Sequence, residues 1–149
     1  MSGLAKTAAI QLFCDGACTG NPGPMGAGIL LRFGRAEKIM ARPLGKGTNN
    51  IAELTAVRIG LSEVRRRDIP VVVHSDSSYA IGVLSGKMKA KLNVELVAEI
   101  RNLISLFSDV KFRKVAGHAG HPENEEVDAL AVRAAREGFE TTELRERST

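Results

Sequence analysis

Four acids and a pair of histidines are the residues of this chain whose types and positions could do chemistry. Asp15 closes the apolar run at 8–14, and Asp76 follows the run at 71–74 and Ser75. Each falls where a buried strand gives out, and sites gather at the C-terminal ends of neighbouring parallel strands. If the two strands are neighbours, the carboxylates converge. Crowded acids repel unless a cation joins them, and hard Mg²⁺ favours such oxygen ligands. The competing reading is structural: a strand-end Asp commonly caps a turn or a following helix, and Asp76, with Ser77 and Ser78 behind it, suits that role too.

Glu53, flanked by Ala52 and Leu54, and Asp128, between Val127 and Leu130, fall in two helical segments. Either could point toward a sheet, and either could equally be a solvated helix-face charge. His118 and His121 sit in the loop GHAGHP at 117–122, ahead of the last helix, where an imidazole can carry a proton near neutral pH. No third soft ligand accompanies them, which argues against a transition-metal site, and His74 inside its valine strand reads as structural.

Several chemistries are excluded. Gly45-Lys46-Gly47-Thr48 lacks the Ser or Thr directly after the lysine that a phosphate-binding loop needs, and no GxGxxG joins a strand to a helix, so no nucleotide cofactor is expected. No Ser or Cys occupies a nucleophile elbow, and Asp15-Gly16 lacks the spaced oxygens and closing Glu of a calcium-binding loop.

The elements that must hold these residues follow from periodicity. Ile10, Leu12 and Cys14 alternate with Gln11 and Phe13, giving a first strand that ends at Asp15. The glycines and prolines of 16–28 imply a long turn, followed by strands at 29–33 and 38–42 in an antiparallel meander. Leu54, Val57, Leu61 and Val64 recur at helical spacing after a cap at Thr48 or Asn49. A buried parallel strand at 71–74, a short helix at 79–84, a long helix at 91–107, a strand at 110–115 and a helix at 124–136 stopped by Gly138 complete the order. The order implies an α/β mixed sheet with helices packed on it. The leader 1–7 and the tail 139–149, polar with only Leu144 to bury, are expected to be loosely ordered.

With 149 residues and 44% hydrophobic content, the chain suits one domain with one substantial core. Its net charge of +4 is compatible with an anionic partner without demanding one. Cys14 and Cys18 have neither a partner pair nor zinc-finger spacing, and read as reduced thiols. No stretch approaches the length of a membrane span or a secretory signal, so a cytoplasmic location and no membrane partner are expected. Monomer is the default.

Four segments in this order, DGACTGNPGPMGAG at 15–28, TNNIAEL at 48–54, SDSSY at 75–79 and VAGHAGHPENEEVDALA at 115–131, resemble the type 1 ribonuclease H family over roughly residues 8–138. The resemblance implies a ribonuclease H-like fold: a five-stranded mixed sheet, three strands antiparallel and two parallel, flanked by helices. It places the family's metal-binding carboxylates on Asp15, Glu53, Asp76 and Asp128 and its mobile-loop histidine on His118, with no catalytic part for His121. The activity implied is Mg²⁺-dependent endonucleolytic cleavage of the RNA strand of an RNA:DNA hybrid, with two ions per site and 5′-phosphate products; Mn²⁺ is a possible substitute.

The resemblance also implies substrate contacts. Cys18, Gly20, Asn21 and Asn50 would lie near the RNA, Lys46, Thr48 and Asn93 would hold a DNA phosphate, and Ser78 stands where a longer residue often reaches a base edge. Some members insert a basic handle rich in tryptophan between the third carboxylate and the phosphate-binding Asn. Here there are only Lys87, Lys89 and Lys91 and no tryptophan, which implies weaker substrate grip. A nuclease of the same fold with another duplex preference, or a silent nucleic-acid-binding module, are the alternatives. The four carboxylates argue against the second, and Asn21, Asn50 and Thr48 against the first.

Overall fold

The alternation of apolar side chains around Leu12 builds the strand from which the rest of the fold is organised. The structure, a computed structural model, describes residues 8–116 and 121–147. Strand β1 (Ile10–Cys18) pairs antiparallel with β2 (Gly23–Phe33), which pairs antiparallel with β3 (Ala36–Gly47). Helix α1 (Asn49–Ser62) then leads to β4 (Val71–Ser75), parallel to β1, and helices α2 (Ser78–Ser85) and α3 (Val94–Ile104) lead to β5 (Val110–Lys114), parallel to β4. Helix α4 (Pro122–Glu137) is followed by β6 (Thr141–Glu146), antiparallel to β3. The sheet order is β5-β4-β1-β2-β3-β6.

The mixed sheet flanked by helices is as expected, but it has six strands rather than five. The sixth lies in the tail expected to be loose. Its side chains are almost all exposed, so burial gives no alternating signature. Backbone pairing holds it instead, with Arg145 opposite Glu37 in the ladder. The hairpin is also longer than composition suggests. Glycines and prolines in 16–28 and 43–47 do not interrupt the β1–β2 and β2–β3 ladders beyond one register shift at Met25/Gly26, and the turn is confined to about 19–22.

The two faces of β1 sort the core as the alternation implies. Ile10, Leu12 and Cys14 pack with Ile29, Met40, Leu54, Val57 and Leu61 beneath α1, while Phe13 joins Leu30, Ile39 and Val127 beneath α4. Leu12 is fully buried, and truncation of such a leucine to alanine costs about 2–5 kcal/mol. The long helix expected at 91–107 is shorter, spanning Val94–Ile104. Asn93 adopts a left-handed backbone, φ 57°, so α3 begins at Val94, and Leu92 is left outside it and 71% exposed. Val97 and Ile100 supply the buried contacts of α3. Among the described residues, no helix is long and apolar enough to cross a membrane.

Candidate active site

The parallel ladder between β1 and β4 ends with Phe13 opposite His74. Asp15 and Asp76 each lie two residues beyond that last pair, on adjacent chains, so they emerge side by side. β1 itself does not end there: it continues against β2 to Cys18, and Asp15 pairs with Gly28. Asp15 is thus anchored by an unbroken antiparallel ladder while its other edge opens. The capping alternative for Asp76 is taken by its neighbours. Ser75 Oγ accepts from the Ser77 N–H at 3.1 Å, and Ser77 Oγ caps α2 by accepting from Ala80 N–H at 3.0 Å. The Asp76 carboxylate remains for the cluster.

Glu53 arrives from the second turn of α1, whose start is fixed by Thr48: its hydroxyl accepts from Ile51 N–H at 3.2 Å. Asn21 supports the same terminus, its Oδ1 accepting from Asn49 N–H at 3.0 Å. Gly16 lets this helix end lie directly on β1, because a Cβ there would collide with the backbone of Ala52 and Glu53. At that close approach the Gly16 N–H donates to Glu53 Oε1 at 2.9 Å. Asp128 is carried by α4, which sits equally close to β2. A Cβ on Gly28 would strike the Val127 carbonyl.

The result is a cluster in which one carboxylate oxygen each from Asp15, Glu53 and Asp76 lies within 4.8 Å of the others. Asp15 and Glu53 are buried and Asp76 half-buried. Asp128 stands on the exposed side of α4 outside that radius, within hydrogen-bonding reach of Asp15. Burial pushes the Asp15 pKa far above the carboxylate range, and Glu53, Asp128 and Asp76 add to the rise. Burial likewise raises Glu53, against the opposing bond from Gly16, with Asp76 and Asp128 contributing. Such repulsion is what a divalent cation relieves.

The donor set fits a hard cation. Cys14 is buried beside these acids, and burial together with the charges of Glu53 and Asp15 pushes its pKa up, so it stays a thiol. The cluster therefore offers carboxylate oxygens and no thiolate, which suits Mg²⁺ or Mn²⁺ and not a soft metal.

The other expected residues divide into those near the α1 terminus and those near α2. Cys18 Sγ donates to the carbonyls of Gly47 at 3.3 Å and Gly23 at 3.5 Å, tying the ends of β1, β2 and β3 together. Gly20, Asn21, Lys46 and Asn50 are exposed around it, with Thr48 half-buried at the cap. Ser78 is exposed on the first turn of α2, and Asn93 Nδ2 donates to the Tyr79 hydroxyl at 3.1 Å. His118 lies outside the described residues. Gly16 was not among the expected site residues, although an Asp-Gly step at the end of an apolar run is the kind of signal that marks a close backbone approach.

The sequence model of the RNase H family matches residues 7–136. The chain belongs to the RNase H family. It is 37% identical over 139 residues to the ribonuclease H of Saccharopolyspora erythraea, covering 84% of this chain and 89% of that one. To the ribonuclease H of Rhodospirillum rubrum it is 39% identical over 144 residues, 89% of this chain and 86% of that one. Among solved structures, RNase H1 from Halobacterium salinarum superposes with a TM-score of 0.69 at 25% identity, over 85% of this chain and 96% of that one. LC11-RNase H1 in complex with an RNA/DNA hybrid shares the fold, with a TM-score of 0.72 at 24% identity over 87% of this chain and 98% of that one. As an RNase H, the chain is an enzyme of the nuclease class.

Proposed function

We propose that this RNase H cleaves the RNA strand of RNA:DNA hybrids at the Asp15, Glu53, Asp76 and Asp128 cluster. The observation that carries the proposal is the convergence of three of these carboxylates within 4.8 Å, two of them buried and raised in pKa by burial and by neighbouring acids. Asp15, which Glu53, Asp76 and Asp128 all influence, would hold the cations together with those three carboxylates. When bound, two Mg²⁺ ions supply activation of the attacking water and neutralisation of charge on the departing 3′ oxygen. The water oxygen bonds to phosphorus as the bond to the 3′ oxygen breaks, leaving 5′-phosphate and 3′-hydroxyl ends.

The chain's own groups do the holding. Gly16 fixes Glu53, and Ser75 with Ser77 fixes the turn that presents Asp76. His118, as the family's loop histidine, would carry a proton to the departing oxygen. Hybrid recognition falls to the small, backbone-rich surface of Cys18, Gly20, Asn21 and Asn50 on the RNA side, where 2′-hydroxyls can be read at close range. Lys46, Thr48 and Asn93 would take a DNA phosphate, and Ser78 is too short to reach far into a groove. The complex of LC11-RNase H1 with an RNA/DNA hybrid supports this substrate for a protein of the same fold. All four carboxylates come from one chain, so a monomer suffices.

Labelled RNA:DNA, RNA:RNA and DNA:DNA duplexes incubated with the protein, with and without Mg²⁺, test the proposal. Cleavage confined to the RNA of the hybrid, dependent on Mg²⁺ and leaving 5′-phosphates, is the expected result. Equal cutting of duplex RNA would overturn the substrate assignment, and no cutting of any duplex would leave the silent-module reading.

A further inference from the structure

Charged side chains cross the α4 face of the sheet in a single row. Register places Arg32 of β2 opposite Glu37 of β3, and Glu37 opposite Arg145 of β6. Glu37 is the centre of the row, with 2% of its side chain exposed. Its Oε2 accepts from Arg32 Nε at 2.5 Å and its Oε1 from Arg145 Nε at 2.8 Å. Burial alone would raise the Glu37 pKa, but the bonds from Arg145 and Arg32 outweigh it and hold the carboxyl below its ordinary value.

Neither arginine is exhausted by Glu37. Arg32 Nη1 donates to Glu123 Oε2 at 3.1 Å, and the two terminal nitrogens of Arg145 grip both oxygens of Glu126 at 2.9 Å. Glu123 and Glu126 belong to the first turns of α4, and Asp128 lies two residues further along the same helix. The helix is therefore tied to the sheet at two points immediately before the residue that meets Asp15. Apolar contacts such as those of Val127 are non-directional and tolerate small rotations, whereas forked guanidinium–carboxylate bonds have a fixed geometry.

We infer that Arg32 and Arg145 are positioning residues for Asp128. Bridging from the buried Glu37 to Glu123 and Glu126, they set the rotation and height of α4 over the sheet. Strand β6, by supplying Arg145, belongs to the scaffold of the active site. This inference rests on the proposed metal-binding role of Asp128.

Glu126→Gln breaks the Arg145 link to α4 while leaving Glu37 paired with both arginines. Glu125→Gln, one residue away, removes the same charge from an exposed position that has no ion pair among the described residues. Binding of MgCl₂ to each protein without substrate is followed by calorimetry and by the rise in melting temperature with Mg²⁺; kcat and KM are then measured on a labelled hybrid. For Glu126→Gln, half-saturation by Mg²⁺ is expected at roughly tenfold higher concentration, the low end for loss of an orienting partner around a metal ligand. Its KM for hybrid and its metal-free melting temperature should stay near those of the unmodified chain, and Glu125→Gln should match the unmodified chain throughout. Arg145→Lys keeps the charge without the fork and is expected to reproduce the Mg²⁺ defect in part. An unchanged Mg²⁺ requirement in Glu126→Gln, or an equal weakening in Glu125→Gln, would overturn the inference. Absence of Mg²⁺ binding and of cleavage in the unmodified chain would instead sink the site reading, and this inference with it.

Discussion

Gly16 and Glu53 are joined by a 2.9 Å hydrogen bond from a strand backbone to a helix side chain, at a point where β1 and α1 are too close for any Cβ. The bond gives one buried carboxylate a fixed direction, and the missing side chain makes the bond possible. Gly16→Ala is therefore expected to push α1 away from β1, at about 1–3 kcal/mol of stability, and to abolish cleavage by moving Glu53. Melting temperature and hybrid cleavage check both parts. Wild-type values for both in the Gly16→Ala protein would show that the close approach is dispensable.

Asp15 bears a charge that the metal-free protein disfavours. Its raised pKa means that the folded state holds a proton which the unfolded state releases near pH 4. The associated stability is present below that pH and is lost as pH rises toward the elevated folded value. In EDTA at pH 7–8, Asp15→Asn should melt roughly 3–6 °C higher, equivalent to about 1 kcal/mol, while hybrid cleavage disappears. Asp76→Asn should also lose cleavage and keep its fold. Adding Mg²⁺ should raise the melting temperature of the unmodified chain and not that of Asp15→Asn. Mg²⁺-dependent cutting at the wild-type rate by either variant is the result that would remove these residues from the mechanism.

His74 contributes a second pH dependence of opposite sign. Burial and then the nearby Arg113 lower its pKa to about 4, with its ring stacked on Phe13 at 4.3 Å and Nε2 bonded to Gln11 at 2.7 Å. The unfolded chain takes up this proton near pH 6.5 and the folded chain resists it until about pH 4. Stability is thus present above pH 6.5 and is lost as pH falls toward 4. Denaturant titrations between pH 7 and 5 should show a shallower slope of stability against pH for His74→Gln than for the unmodified chain. Parallel slopes would mean that the ring is protonated in the fold.

Substrate grip should be modest and salt-sensitive only to a limited degree. Lys87, Lys89 and Lys91 are exposed on the connection between α2 and α3, alongside exposed Met88 and Leu92, and no longer basic insertion accompanies them. A plot of log affinity for hybrid against log salt should be shallower than for a relative with a basic handle. Replacing all three lysines with alanine should reduce the slope by about 2–3 if each meets one phosphate. A slope matching that of a handle-bearing enzyme would contradict this.

The placement of Asp76 just past its strand was legible, because a buried parallel strand is written as consecutive valines; the alternation of Ile10, Leu12 and Cys14 located the strand of Asp15 but not its end, which lies at Cys18. The convergence of Asp15 and Asp76 was not legible, since the pairing of Phe13 with His74 depends on the whole sheet. Glu53 and Asp128 carried no local signal that separated them from surface charges; only the resemblance of four motifs singled them out. The glycines that read as a long turn instead form ladders, with Gly16 and Gly28 admitting two helices, because absence of a side chain looks the same in a turn and at a close contact. Strand β6 was hidden because charge pairing and backbone bonds leave no hydrophobic pattern to read.

The four carboxylates come from β1, α1, the end of β4 and α4, spread over more than a hundred residues of chain. A nascent polypeptide that has emerged only as far as β5 therefore carries three of the acids and cannot complete the set. During synthesis, the proposed site cannot be assembled until α4 has emerged and folded against the sheet.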